Sequence, residues 1–418
     1  MDSPRDRRLG STFRTVWFGR SLSMLGGYVQ FLALPLWIQQ VTGSTVAGLL
    51  AFGIFFLPQV VCTPFAGVLA DRFDRRRLVV AADLAAFAVA VSLALTIDPN
   101  RLGWIYLHLG VLQALTALAL PAFLSMLPDV VPAGRLLAAN ALLNASAGVA
   151  VTVGPLLGSL LLAHYSIVVV IWINALTFLV AAACMLRRDA APRAAGVPER
   201  PKAQLRQGLA ALYADPVLRS TVVAEAPWNL CFGAATQLVL MHFGAGGLVQ
   251  APGLVGLGAG LGSLAMTAVL ARIRRDLPAA TMLMTAVLTT APVALVVVWL
   301  ASLGTNPVGA VVAGLLLGVQ AYAIGIGPAL QCQQRSAPGS RGRITALRRT
   351  SNATWQVAGI GAAALLVGRV PPLVLVAAGG VLATVAAAPW AWRALRAGRA
   401  APTPAALTPD AALEAVAR

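Results

Sequence analysis

Charge is scarce in this chain of 418 residues: Asp, Glu, Lys and Arg together make up 11%. A soluble domain carries roughly 25% of such residues, so a water-facing surface of this size could not be covered, and a soluble globular protein is excluded. Lysine is all but absent, Lys202 standing alone against arginine among the 31 basic residues. Acids number 14, which leaves a net charge of +17. The four cysteines, Cys62, Cys184, Cys231 and Cys332, lie far apart inside apolar runs. They make neither a disulfide scaffold nor a metal-ligand spacing. No glycine-rich loop ends in Lys and Ser or Thr, so ATP is not expected to be the energy source. No cluster of His, Cys and acids suggests a metal ion or a covalent nucleophile. Neither enzymatic activity nor a cofactor or metal is expected.

What fills the chain instead is apolar: 59% of residues are hydrophobic and mean hydropathy is +0.81. A helix needs about 20 apolar residues to cross the hydrocarbon of a bilayer. Twelve runs qualify, at about 15–40, 44–70, 78–97, 102–127, 137–162, 166–186, 217–243, 251–271, 277–301, 306–331, 344–368 and 371–392. The runs are continuous where a membrane β-barrel would alternate every second residue, so the spans are helical. The fold class expected is an all-α polytopic membrane protein. The first span follows Arg5, Arg7, Arg8 and Arg14 and has no cleavage site, so it is read as a retained helix.

Basic residues set the orientation. With the N-terminus inside, all of them except Arg20, Arg101 and Arg369 fall on the inner side. This asymmetry places both termini in the cytoplasm. It also accounts for the charge without a nucleic-acid partner, because the arginines stand in short clusters between spans. Residues 1–186 are read as a first six-helix half, 187–216 as a polar cytoplasmic connector, 217–392 as a second six-helix half and 393–418 as a disordered cytoplasmic tail. A weak repeat links the halves: Gly67-Val68-Leu69-Ala70-Asp71-Arg72 after span 2 and Ala268-Val269-Leu270-Ala271-Arg272 after span 8 are each followed by a basic cluster.

The stretch Gly67-Val68-Leu69-Ala70-Asp71-Arg72-Phe73-Asp74-Arg75-Arg76-Arg77 resembles the signature loop between helices 2 and 3 of the major facilitator superfamily. Leu127-Pro128-Asp129-Val130-Val131-Pro132, Gly154-Pro155-Leu156-Leu157-Gly158 and Asn174-Ala175-Leu176-Thr177-Phe178 resemble its bacterial branch of macrolide and enterobactin exporters. The resemblance implies drug:proton antiport by alternating access on two six-helix halves. It also implies a gate in which Gly67 allows close helix approach while Asp71, Arg72, Arg75 and Arg76, with Asp129, lock the halves on the cytoplasmic side. Gly154, Pro155 and Gly158 correspond to a helix-5 motif associated with export. Three departures bear on the coupling route. Gly26-Gly27 stands where relatives often carry an acid, helix 4 has no arginine near Gln113, and Ser159 follows Gly158 where a second glycine is usual.

Ionisable groups inside spans are functional candidates because burying them is costly. Arg20, Asp83 and Glu225 each lie six residues beyond a flanking arginine, about 9 Å into the span at 1.5 Å per residue. Arg20 and Asp83 could neutralise each other. Glu225, read as a lone acid, is the expected proton-coupling site, with Asp83 beside Arg20 as the other carrier; the alternative for Glu225 is snorkelling to inner water or pairing with Arg348 or Arg349. Trp228, Asn229 and Phe232 follow Glu225 at helical spacing, with Gln237 beyond them. Gln30, Gln113, Gln320 and Tyr322 lie in helices 1, 4 and 10, which with helix 7 line the central cavity of that fold. His108, His164 and His242 are placed near outer ends, in water.

The expected function is export of small amphiphilic molecules by proton exchange. Alternatives are uniport or import on the same fold, or lipid handling without transport. Arginine in place of lysine, with abundant Ala and Gly, matches a GC-rich bacterial genome. The expected setting is therefore a bacterial inner membrane, with a monomer among lipids and a small-molecule substrate and protons as partners. For the gate, Asp71→Asn is expected to impair turnover in a protein that still inserts and folds. Wild-type efflux from a well-expressed Asp71→Asn variant would remove the gating role.

Overall fold

The computed structural model describes residues 9–132, 135–186, 209, 210, 212–246, 250–272, 278–304, 306–336 and 341–400, with backbone alone for 63–72, 341 and 400. Apolar surroundings offer no partner for backbone N–H and C=O groups, so the segments satisfy them internally as helices. The first six are α1 (Ser11–Thr42), α2 (Thr45–Arg72), α3 (Arg75–Thr96), α4 (Leu102–Val130), α5 (Leu136–His164) and α6 (Ile167–Leu186). The next are α7 (Pro216–Cys231), α8 (Ala235–Ala245), α9 (Ala251–Arg272) and α10 (Ala279–Ser302). The last are α11 (Pro307–Arg335), α12 (Arg341–Leu366) and α13 (Pro372–Ala400). Every element described in this way is a helix, and 10 of them are long and apolar enough to cross a membrane.

Three elements depart from the hydropathy reading. The single helix expected over 217–243 is two, α7 and α8, of 16 and 11 residues. Pro227 withholds one backbone donor. At the break, the Gly233 N–H donates to the carbonyls of Trp228 (2.9 Å) and Asn229 (3.1 Å). A Cβ on Gly233 would run into the Asn229 carbonyl oxygen, so the tight turn requires glycine there. Secondly, α12 is too polar to count as a span by composition, because Arg343, Arg348, Arg349 and Asn352 occupy its first half. Thirdly, α13 continues past 392 to Ala400. There the guanidinium of Arg393 lies 4.6 Å from the ring centre of Trp390, and that of Arg396 4.9 Å from Trp392. Such contacts let long basic side chains extend an amphipathic end. The connector over 187–208 and the tail from 401 lie outside the described residues.

Helices α1 to α6 pack chiefly on one another: α1 against α5 and α6, α3 against α4 and α6, and α2 against α4. Helices α7 to α13 form a second group, in which α9 packs on α11, α10 on α11 and α13, and α7 on α12 and α13. One end of the bundle carries the basic residues Arg75, Arg76, Arg77, Arg135, Arg219 and Arg335; the opposite end carries the turns after α1, α3 and α5.

The groups meet away from the basic end. Leu32, Leu36, Leu49 and Phe52 of the first group share a core with Leu238, Val239, Met241, Phe243 and Ile360 of the second. Gln39 donates to the Met241 carbonyl at 3.1 Å. Helix α5 lies on α9 through small residues, with Gly253 against Ser159, Gly256 against Pro155 and Gly260 against Thr152. Without a hydrophobic force between helices in lipid, such faces associate through close backbone packing.

The same device joins α9 to α11, where a Cβ on Gly318 would collide with the carbonyl oxygen of Ala259. Gly318→Ala is therefore expected to destabilise the second group by about 1–3 kcal/mol, the usual cost of overpacking. Thermal unfolding in detergent measures it. Gly361→Ala, where a Cβ meets open space, serves as the neutral comparison.

Candidate functional site

Three embedded ionisable groups from the sequence reading fall into two clusters. In the first group, Arg20 on α1 approaches Asp83 on α3 with an N···O distance of 3.6 Å, both side chains buried. That distance makes an ion pair but exceeds hydrogen-bond length. The Arg20 guanidinium also faces the Phe123 ring at 5.6 Å, and its Nε has no hydrogen-bond partner. The helix-3 acid is thus loosely held.

In the second group, Glu225 on α7 is 1% exposed and tightly held. Arg348 on α12 donates Nε to Oε2 at 2.8 Å and Nη2 to Oε1 at 3.0 Å. Asn352, one turn on, donates to Oε1 at 3.3 Å. Arg348 also donates to the Gly325 carbonyl of α11 at 3.0 Å. The reading of Glu225 as a lone acid is corrected, and of the two partners considered the structure selects Arg348. A fully buried carboxylate would be prohibitively costly without such a fork of donors. Asn229 is occupied as well, donating to the Glu225 backbone carbonyl at 2.9 Å, and Trp228 packs edge-on against Phe232 at 5.7 Å.

A cavity of about 610 Å³ opens between the two groups of helices in the basic half. Gln59 of α2, Gln113 and Thr116 of α4, and Thr345, Arg349 and Thr350 of α12 supply its polar lining. Leu120, Pro121 and Leu124 of α4 supply an apolar wall. Of the side chains expected to face substrate, Gln113 alone lines this cavity. Gln30 is tied up by Asn174, which donates to it at 2.6 Å. Gln320 donates to the Ala286 carbonyl and to Thr290, both at 2.7 Å, so it joins α11 to α10. Gln237 is buried in α8, and Tyr322 is half-buried on α11. Each apolar helix offers its buried amides a choice between neighbours and cavity, and hydropathy cannot rank the two. His108 is likewise buried, contacting Ser92 at 3.1 Å and the Trp104 carbonyl at 2.9 Å, not solvated as the sequence suggested.

The signature loop is only partly in view. The side chains of Gly67, Asp71 and Arg72, at the end of α2, lie outside the described residues. Arg75 donates to the Ser125 carbonyl at 3.3 Å, and Arg76 to the carbonyls of Met185 at 3.2 Å and Leu186 at 2.6 Å. The Arg76 contacts satisfy free carbonyls at the end of α6, where the helix dipole favours positive charge, while Arg75 reaches a carbonyl inside the last turns of α4. Asp74, not singled out in the sequence, caps α3 by accepting from the Arg77 N–H at 2.7 Å. Asp129 is exposed in the last turn of α4. On α5, Gly154 and Gly158 press on the α1 backbone at Tyr28 and Val29, while Pro155 meets α9. The motif is a joint between helices on two sides.

Sequence reasoning missed Gln59 and the threonines of α12, and it considered Arg349 only as a partner for Glu225. A signal existed: Arg348-Arg349-Thr350-Ser351-Asn352 is too polar for a lipid-facing run, yet it lies inside an expected span.

Comparison with known proteins agrees with this architecture. The family model described as Major Facilitator Superfamily matches residues 16–363. The uncharacterized MFS-type transporter YfiS of Bacillus subtilis (strain 168) is 28% identical over 268 residues, 62% of this chain and 64% of the relative. Macrolide efflux protein A of Streptococcus pyogenes is 26% identical over 171 residues, 40% of this chain and 42% of the relative. The chain thus matches less than two thirds of the length of either. A solved bacterial homologue of the human lysosomal transporter Spinster, inward-facing and unoccupied, superposes with a TM-score of 0.66 at 14% identity over 96% of both chains.

The Glu225–Arg348 pair makes a direct prediction. Arg348→Gln leaves a buried carboxylate uncompensated and is expected to cost about 3–5 kcal/mol. The double variant Glu225→Gln/Arg348→Gln is expected to lose less than the sum of the two single losses. A double-mutant cycle on thermal unfolding measures the difference, and strict additivity would refute coupling.

Proposed function

This chain belongs to the major facilitator superfamily, and on that premise we propose that it is a secondary active exporter of small amphiphilic molecules driven by proton exchange. The observation that carries this reading is the cavity between α2, α4 and α12, set against groups that meet by small residues at the opposite end. Such a joint supports rocking of one group against the other, which exposes a midplane site to each side in turn. One cation and a few amides and hydroxyls beside leucine and proline suit a largely apolar substrate that makes a small number of hydrogen bonds.

Export is the direction supported by similarity to macrolide efflux protein A. The basic end faces the cytoplasm under the positive-inside rule, so the cavity loads from inside. The setting is the cytoplasmic membrane of a bacterium, with both termini inside and the chain acting as a monomer. The loop from Gly67 to Arg76, with Asp129, acts as the gate on that side. Residues 1–186 and 217–392 are the two moving halves.

The proton carrier is Asp83. Protonating Glu225 would forfeit two hydrogen bonds from a guanidinium, each worth about 1.5–3 kcal/mol. Asp83 has a single contact at 3.6 Å to forfeit. Arg20 then positions Asp83 and is released as the proton arrives. In proteoliposomes with an imposed pH gradient, Asp83→Asn is expected to abolish uphill substrate movement while retaining downhill exchange. Glu225→Gln is expected to lower stability and leave coupling in place. The reverse result moves the carrier to Glu225, and full coupling in both variants moves the reading to another titrating group. Transport that ignores the pH gradient in the wild type makes the protein a uniporter.

A further inference from the structure

Among the described residues, the acids and arginines around the two groups of helices do not all pair off. Asp83 is matched by Arg20 and Glu225 by Arg348, each acid with one arginine. Arg349, the neighbour of Arg348, makes no ion pair or hydrogen bond among the described residues, and it lines the cavity between the two groups of helices. Among the described residues lining that cavity with it there is no acid. The remaining polar lining, from Gln59 and Gln113 to Thr345 and Thr350, is uncharged.

Helical geometry keeps Arg349 in the cavity. Gly342, Thr345, Ala346 and Arg349 follow the spacing of one helix face, and all four line it. A Cβ on Gly342 would meet open space, so this face looks into room and not into a neighbour. Arg348, about 100° round the helix, leaves that face and reaches Glu225. Two adjacent arginines therefore have opposite duties, one neutralising a buried acid and the other left to meet a ligand. Across the cavity, Leu120, Pro121 and Leu124 form an apolar wall.

From this geometry we propose that Arg349 sets the charge of the substrate: the cavity takes amphiphiles with an anionic head, of which a carboxylate is the simplest, in preference to cations of the same size. The proposal rests on the transport reading above and adds the substrate class to it. An anionic head forms a charge-assisted fork with the guanidinium, the amides and hydroxyls supply neutral hydrogen bonds, and the tail lies on the α4 wall. A cationic head meets no acid among the described lining residues and is repelled by Arg349.

The test uses the full-length protein in phosphatidylcholine nanodiscs and two probes, a dansylated alkyl carboxylate and the dansylated alkyl trimethylammonium of equal chain length. The carboxylate is expected to bind at least tenfold more tightly, with an affinity that falls as salt rises. Arg349→Gln is expected to remove both the preference and the salt dependence, and Arg349→Lys to restore most of them. The melting temperature of each variant shows that it is folded, as expected for an exposed side chain without a partner. Equal binding of the two probes by wild type, or a preference that survives in Arg349→Gln, overturns the proposal. A tenfold loss of carboxylate binding in phosphatidylglycerol discs assigns the site to a lipid headgroup and also overturns it. A neutral dansylated alkane alcohol, assayed for movement in liposomes, separates the two levels. If it moves while charge preference is absent, only the selection by Arg349 fails. If it does not move and neither probe binds, the transport reading fails and the inference with it.

Discussion

The contact of α5 with α9 is the constraint on which the rest of the arrangement hangs. Two helices from different groups approach through Gly253, Gly256 and Gly260, against Ser159, Pro155 and Thr152. Lipid supplies no hydrophobic drive for helix association, so close packing of small residues has to supply the attraction. Because these residues lie in the half away from the basic end, attraction is concentrated there, and the cavity lies in the other half. The serine that follows Gly158, a departure from the usual motif, is accommodated by glycine on the facing helix and not by any change in α5 itself. A small residue is needed at the crossing, and either partner can provide it.

Among the described residues, the buried ion pairs named above each lie inside one group. Arg20 and Asp83 join α1 to α3, Glu225 and Arg348 join α7 to α12, and Arg335 holds Asp215 at 2.8 Å ahead of α7. A buried ion pair is stable only with its partner in place, and separating the two ions would cost several kcal/mol. By lying within the groups, these pairs need not separate in the rocking proposed above, and Arg20 parts from Asp83 only as that acid takes up a proton. The cross-group contacts named above are apolar side chains, glycines and one amide-to-carbonyl hydrogen bond, all of which are cheaper to remake. The break between α7 and α8 fits the same division: α7 carries Glu225 into its own group, while Met241 and Phe243 of α8 pack across to the other.

Much of this was legible in the chain because membrane solvation acts on local composition. Hydropathy runs located the spans, the continuous pattern separated helix from barrel, and the distribution of arginine separated the two ends. The common depth of Arg20 and Asp83 followed from counting residues inward from flanking arginines, and it anticipated their pairing. The break at Gly233 was not legible, because a window average over 217–243 stays apolar whether the helix is one piece or two. Asp74 as a cap, and Arg75 and Arg76 on backbone carbonyls of α4 and α6, were hidden for a related reason: the cluster already had an explanation as a topology signal.

The sequence by itself determined the solvent, the secondary structure and the depth of each polar group, since these depend on how many apolar residues lie to either side along the chain. Tertiary structure alone decided which neighbour each polar group faces. Gln30 and Gln320 turned inward to Asn174 and Thr290, Gln113 turned to the cavity, and Arg348 and Arg349 separated by one step of the helix into a buried partner and a cation lining the cavity. Depth is a one-dimensional property of the chain, whereas the azimuth of a side chain matters only once a particular second helix is packed beside it.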